Sequence, residues 1–123
     1  ELFTIALNDI EEKLKSEKDD PRFLAFKGKV LAYLGKEKEA IEFGYKATNI
    51  VSVENDKLQG GDYNYNLAKI YSVTGNYELA VNELEKIYNA QPKAAFLGLL
   101  LYDYELSYIQ QYEGFRNLVN KYK

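Results

Sequence analysis

The carboxylates are the side chains of this sequence best suited to chemistry, and they occur as close pairs at Asp19/Asp20 and Asp103/Glu105. A general acid and base must share a pocket, but adjacent residues of a helix point in different directions. The 123-residue chain contains no histidine and no cysteine, which removes the commonest general base and excludes thiolate chemistry and disulfides. We therefore expect no enzyme activity, no metal site and no cofactor, and we interpret Asp20 as a helix cap.

Composition and charge exclude further classes of protein. Hydrophobic residues make up 46% and charged residues 28%, which is usual for a single globular domain. The net charge of −3 argues against a nucleic-acid partner, which would require a basic surface. The longest apolar run, 94–102, is shorter than the roughly 18–20 residues that span a bilayer. We expect a cytoplasmic protein without a membrane partner. Because the chain starts at Glu1 and lacks methionine, we expect an excised piece of a longer protein.

Two stretches of the chain repeat the same pattern of small and apolar residues 40 residues apart. Aligning 28–41 with 68–81 places Gly35 on Gly75 and Ala40 on Ala80. A repeat of roughly 20 to 50 residues is typical of solenoids, which present binding surfaces rather than catalytic pockets.

Apolar residues at helical spacing define the elements that carry this repeat. They predict helices over 2–16, 21–34, 37–51, 62–74 and 77–90, with loop signals in 52–62. Gly35 and Gly75 are expected to end the first helix of each hairpin. The tail is less regular: we predict a short helix over 94–101, an ambiguous aromatic segment over 102–112 and a closing helix over 115–122.

These hairpins resemble the tetratricopeptide repeat, a degenerate motif of bulky and small residues at fixed places. In the first repeat the matching residues are Leu24, Gly28, Leu31, Gly35, Ala40 and Ala47. In the second they are Leu67, Ala68, Tyr71, Gly75, Ala80, Leu84 and Pro92. Because Ala6 lies 34 residues before Ala40, the first helix looks like the second helix of a preceding repeat.

The resemblance implies an all-α fold, a short right-handed solenoid of antiparallel helical hairpins with about two full repeats and flanking helices. We expect one domain, in which 1–18 is the second helix of a truncated repeat, 20–51 and 62–92 are repeats, and 94–123 is a C-terminal cap. In the tail, the spacing of Asp103, Ile109 and Phe115 is similar to the C-terminal repeat segment of larger bacterial signalling and regulatory proteins. Tyr104 and Tyr108 are expected to belong to this cap.

The resemblance also implies a function, because this family binds peptides or partner helices on a concave face lined by first helices. We therefore expect a non-catalytic protein-interaction module, a scaffold that binds a peptide or a partner protein. The residues that we expect to bind the partner are Arg22, Lys29, Tyr33, Tyr65, Asn66 and Lys69. The same projection leaves Ala25 and Val73 exposed on this face. Lysines, an amide and tyrosines suit an acidic or C-terminal peptide.

Two alternatives stay open. The helix that carries Leu2, Phe3 and Ala6 lacks its hairpin partner, so its apolar face would pair two copies in a homodimer. A regulatory small-ligand sensor is the other alternative, and an apolar pocket walled by Tyr33, Tyr65 and Tyr71 would favour it.

Overall fold

The computed structural model describes residues 1–51, 60–90 and 100–122, and these residues form helices with no strand among them. The predicted all-α repeat fold is confirmed, and each of the five predicted repeat helices lies within two residues of its expected bounds. The α-helices are α1 (Leu2–Ser16), α2 (Pro21–Tyr33), α3 (Glu37–Ile50), α4 (Gly60–Val73), α5 (Tyr77–Ala90) and α6 (Glu113–Tyr122), and a 3-10 helix spans Tyr104–Ile109.

The two hairpins turn at the glycines that the sequence singles out. Gly35 has φ 80° and Gly75 has φ 86°, a left-handed conformation that strains any residue with a Cβ atom. After α2, the Lys36 N–H donates to the Leu31 carbonyl at 2.9 Å, and the equivalent bond after α4 measures 2.8 Å. This is the Schellman helix ending, which satisfies carbonyls that the last turn leaves free. The prediction that both glycines end a first helix is confirmed.

Helix α2 starts where the sequence predicts it. The Asp20 carboxylate accepts the Arg22 backbone N–H at 2.9 Å, and Pro21 occupies the first helical position. An Asp cap satisfies one of the N–H groups that a helix start leaves without a partner, and proline has none to satisfy. The interpretation of Asp20 as a cap is confirmed.

Small residues bring the two helices of the first hairpin together. A Cβ atom added to Gly28 would lie 2.8 Å from the Gly44 backbone nitrogen and 2.9 Å from the Ala40 carbonyl oxygen, so only glycine permits this approach. In the second hairpin Ala80 is fully buried, as predicted, in a core that also contains Leu84.

The tail closes the C-terminal end of the stack. The 3-10 helix buries Leu106 and Ile109, which share a face because this helix has about three residues per turn. Both pack with Phe115 of α6 against the core of the second hairpin. Tyr104 and Tyr108 stay exposed on the same short helix. Most of the short helix predicted over 94–101 lies outside the described residues.

Candidate partner-binding site

The tail places two carboxylates between α2 and α4. One Glu105 oxygen lies 3.2 Å from the Nζ atoms of both Lys29 and Lys69, and the other accepts a hydrogen bond from the Tyr33 hydroxyl at 3.0 Å. Tyr33 follows Lys29 by four residues, so both side chains leave α2 on one face.

Asp103 completes this arrangement from the start of the 3-10 helix. It accepts a hydrogen bond from the Tyr65 hydroxyl and lies 3.4 Å from the Lys69 ammonium nitrogen. Its other oxygen accepts the Glu105 backbone N–H at 2.8 Å, which caps the 3-10 helix. The Lys69 ammonium also lies 4.4 Å from the centre of the Tyr65 ring. The group formed by Lys29, Tyr33, Tyr65, Lys69, Asp103 and Glu105 is called the carboxylate cluster below.

The protonation states of the carboxylate cluster follow from its geometry. Burial raises the pKa of Asp103 and of Glu105, but hydrogen bonds and the nearby lysines outweigh burial and hold both pKa values below their usual range. Burial, followed by the neighbouring carboxylates, raises the pKa of Tyr33 and of Tyr65 well above that of a free tyrosine. At neutral pH the carboxylates are therefore charged acceptors and the tyrosines neutral donors.

The remaining residues predicted on the concave face lie outside this cluster. Asn66 donates from its amide to the Ala25 carbonyl at 3.1 Å and so joins α4 to α2. Arg22 pairs with Asp20 at 2.7 Å, beside the helix start. Ala25 is buried rather than exposed, because it lies in an apolar cluster with residues of α1, α3 and α4, so that expectation was wrong.

The structure thus brings together four of the six residues predicted to bind a partner, but they surround the chain's own Asp103 and Glu105. Their role in binding a partner stays a prediction. Sequence reasoning named an acidic peptide as the suitable ligand and missed that Asp103 and Glu105 supply these carboxylates from the tail. The available signal was the pair of acids Asp103 and Glu105, two residues apart within the predicted C-terminal segment 94–123.

An open groove lies next to the carboxylate cluster, with a cavity volume of about 710 Å³. It is called the α1 groove below. Its apolar and aromatic lining comes from α1, α2 and the 3-10 helix, and comprises Leu2, Phe3, Ala6, Phe26, Val30, Tyr33, Tyr104 and Tyr108. Lys29 and Glu105 border it, which makes the groove and the carboxylate cluster neighbours that share a wall.

The aromatic and apolar side chains that line the α1 groove are only partly covered. The Phe3 and Tyr33 rings stack with centroids 5.1 Å apart and planes 5° from parallel. Leu2 is 81% exposed and Phe26 42% exposed. The residues predicted for self-association and two of the residues predicted for the concave face therefore border one groove.

Residues 61–93 match the family model of the tetratricopeptide repeat. The match covers α4, the Gly75 turn and α5, so the resemblance to this family is confirmed over the second predicted repeat. No curated protein and no solved structure matches the chain. Tetratricopeptide repeats are non-catalytic modules that generally mediate interactions between proteins.

The three tyrosines that the sensor hypothesis places around one ligand pocket lie in different environments. Tyr33 lines the α1 groove, Tyr65 donates to Asp103, and Tyr71 is buried in the core of the second hairpin. This arrangement gives the hypothesis of a shared tyrosine-walled ligand pocket no support.

Two further properties of the described residues bear on function. Within 1–51, 60–90 and 100–122, no group of three acidic, histidine or cysteine side chains is placed to hold a metal ion. In the same part of the chain, every helix is too short or too polar to cross a bilayer.

Proposed function

We propose that this chain is a non-catalytic protein-interaction module that binds a partner protein at the concave side, in the α1 groove. The observation that carries the proposal is the groove itself, an apolar trough of about 710 Å³ with Leu2, Phe26 and Tyr104 exposed around it. Contiguous exposed apolar surface of this kind commonly marks an interaction site. The match to the tetratricopeptide repeat supports a protein as the partner.

The residues expected to bind the partner take different parts in this proposal. Lys29 and Tyr33 border the groove directly. Tyr65 and Lys69 bind Asp103 and Glu105 at the start of the 3-10 helix. Tyr104 and Tyr108 of this helix form the opposite wall of the groove. Asn66 joins α4 to α2. Arg22 lies apart from the groove. As the resemblance of the tail implies, the proposal also places the module at the C-terminal end of a larger bacterial regulatory protein.

A displayed random-peptide library selected on the immobilised chain tests the proposal. Binders are counter-selected on Phe26→Glu, which puts a charge into the groove, and on the matched control Leu79→Glu. Leu79 is 46% exposed on α5, outside the groove, whereas Phe26 is 42% exposed. We expect enriched binders to lose binding to Phe26→Glu and to keep binding to Leu79→Glu. Binders that bind Phe26→Glu as tightly as the wild type would show that they bind another surface, and the proposal that the α1 groove is the binding site would be wrong.

Self-association is the second candidate function, because Leu2 and Ile5 of α1 are exposed beside half-exposed Phe3. If two copies pair through this face, sedimentation of the wild type should show a concentration-dependent dimer that Phe3→Glu abolishes. A monomer in both cases removes this candidate and leaves the binding of a different protein.

A further inference from the structure

We propose that Tyr33 is the positioning residue of the α1 groove, which joins the two walls of the groove and couples changes in α1 to the tail. This inference rests on the proposed function and specifies how its binding site is held in shape. One wall consists of α1 and α2, and the other is the 3-10 helix with Tyr104 and Tyr108. Tyr33 joins them through a ring stack with Phe3 and a hydrogen bond to Glu105.

Few polar contacts hold the 3-10 helix to α2. The apolar anchors of the 3-10 helix, Leu106 and Ile109, lie in a core formed mainly by α4, α5 and the tail, and among the described residues α2 takes no part in it. In the same part of the chain, the hydrogen bonds and ion pairs that join the tail to α2 are those of Lys29 and Tyr33 with Glu105. The position of the 3-10 wall relative to α2 therefore depends on these two side chains.

Tyr33 constrains the groove more strongly than Lys29 does. The Lys29 ammonium nitrogen lies 3.2 Å from Glu105, at the end of a flexible chain. The Tyr33 side chain has few torsions and is fixed from two sides. Its ring stacks on Phe3 with centroids 5.1 Å apart, and its hydroxyl donates to Glu105 at 3.0 Å. A displacement of the Phe3 ring should therefore move the Tyr33 hydroxyl relative to Glu105.

Glu105 transmits this constraint to the opposite wall. One of its carboxylate oxygens accepts the hydrogen bond from Tyr33, and the other is shared by two lysines. The Glu105 backbone N–H donates to the Asp103 carboxylate at 2.8 Å, which fixes the start of the 3-10 helix. Tyr104 lies between these two acids in the chain and lines the groove. Loss of the Tyr33 hydrogen bond should therefore loosen this wall while its apolar anchors stay in place.

The shape of the groove affects its affinity for a ligand. A preformed site loses less conformational freedom on binding than a site with a mobile wall. Burial, followed by the hydrogen bond to Glu105, raises the pKa of Tyr33, so the hydroxyl keeps its proton and remains a donor at neutral pH. Because this hydroxyl is bonded to Glu105, its removal should change binding through the position of the wall.

Binding of the library-selected peptides that depend on Phe26 is the first test. Tyr33→Phe keeps the ring that lines the groove and removes only the hydroxyl. We expect binding to weaken about three- to tenfold, as for the loss of one hydrogen bond. Tyr45→Phe is the matched control and should bind as the wild type does, because Tyr45 is 54% exposed on α3, outside the groove. Glu105→Ala should also weaken binding, and adding Tyr33→Phe to it should cause no further loss.

A measurement without ligand tests the coupling between α1 and the tail. Phe3→Leu removes the ring stack and should shift the amide resonances of Asp103 and Glu105. Ile5→Leu should leave these resonances in place, because Ile5 is an exposed residue of α1 outside the groove. In Tyr33→Phe, which lacks the hydrogen bond, the shifts caused by Phe3→Leu should largely disappear.

Two outcomes would overturn the inference. Peptide binding to Tyr33→Phe as tight as to the wild type would show that the hydroxyl does not hold the groove in shape. Shifts at Asp103 and Glu105 that are absent, or that are equally large without the hydroxyl, would show that Tyr33 does not couple α1 to the tail. Failure of the proposed function is distinguishable, because the selected peptides would then bind Phe26→Glu as tightly as the wild type. The measurement without ligand would still decide the coupling.

Discussion

The two ends of this helical stack differ in how completely their apolar residues are covered. At the C-terminal end, the 3-10 helix and α6 bury Leu106, Ile109 and Phe115 almost completely. At the N-terminal end, only Ile10 of the 15 residues of α1 is buried, and Leu2 and Ile5 face solvent. A terminal repeat normally needs a polar or covered outer face. The difference shows that the tail covers the apolar residues at one end, whereas most of the apolar residues of α1 stay partly or fully exposed in the described residues.

The cap has two physical components that the open end lacks. Apolar residues at i and i+3 of the 3-10 helix dock on the second hairpin, and the carboxylate cluster ties Asp103 and Glu105 to α2 and α4. Among the described residues, no helix covers the α1 groove in the same way.

The largest expected effect is the difference in stability loss between phenylalanine-to-alanine substitutions at the two ends. Phe115→Ala removes a ring that is 1% exposed and should lower the free energy of unfolding by about 3–5 kcal/mol. Phe3 is 44% exposed, so Phe3→Ala should cost well under that amount. Urea unfolding followed by circular dichroism measures both. Equal losses would mean that α1 is as firmly integrated as the cap, and the contrast between the ends would fail.

Alanines at equivalent repeat positions give the next contrast. Ala80 is fully buried in the second hairpin, so Ala80→Leu should overpack the contact and cost ~1–3 kcal/mol. Ala6→Leu should leave stability nearly unchanged, because Ala6 lines the open groove, but it should weaken ligand binding there. An unchanged melting temperature for Ala80→Leu would contradict the assigned packing.

Substitutions in the two hairpin turns should lower stability by similar amounts, in contrast to substitutions at the two ends of the stack. Gly75→Val should cost about 1–2 kcal/mol through its positive φ alone, since a Cβ atom at Gly75 would meet nothing within 4 Å. Gly35→Val should cost a similar amount for the same reason. Thermal unfolding of both variants compares them. A much smaller loss at either glycine would show that its turn relaxes to another conformation.

The carboxylate cluster should make the cap sensitive to acid. The pKa values of Asp103 and Glu105 lie below their usual 3.8 and 4.5 in the folded chain, so their contribution is complete above those values. It is lost as the pH falls through the lowered folded-state values, which makes the cap weaker in acid. Glu105→Gln should lower the free energy of unfolding by about 1 kcal/mol at pH 7. In acid the variant should lose less of its remaining stability than the wild type does.

Urea titrations at pH 7, 5, 4 and 3 check this prediction, and only the difference between wild type and Glu105→Gln is used. That difference isolates Glu105, because other carboxylates also titrate in this range. A difference that stays constant with pH would show that the charge of Glu105 does not support the cap.

The smallest effect is expected at Arg22. Its guanidinium pairs with Asp20 at an exposed helix start, away from both the carboxylate cluster and the α1 groove. Arg22→Gln should therefore leave groove binding unchanged, whereas Lys29→Glu should impair it by placing like charge beside Glu105. Binding of the library-selected peptides measures both. Loss of binding in Arg22→Gln would extend the binding face along α2 and return Arg22 to the predicted set.

The hairpins could be predicted because their signals are local. The spacing of apolar residues sets the helices, and Gly35 and Gly75 mark turns that require a positive φ. The 3-10 helix had no such signal, since a short aromatic segment fits several conformations and packing on α4 and α5 selects one. Of the candidate site, the sequence indicated Lys29 and Tyr33 and, separately, Leu2 and Phe3, but not that they border the same groove.

What the sequence by itself determined is the repeat: its period, its helices and its relation to the tetratricopeptide repeat follow from residue types at fixed spacing. Only the tertiary structure decided how the two ends are finished. The docking of Asp103 and Glu105 on α2 and α4 joins residues 34 to 76 positions apart in the chain. Such contacts depend on how the helices stack. Residues that meet in a long-range ion pair or around a buried ring have no fixed spacing in the sequence, so no periodic pattern reveals them. The same stacking leaves Phe26 exposed while its repeat equivalent Asn66 is bonded to a neighbouring helix, and so places the open surface at the N-terminal end.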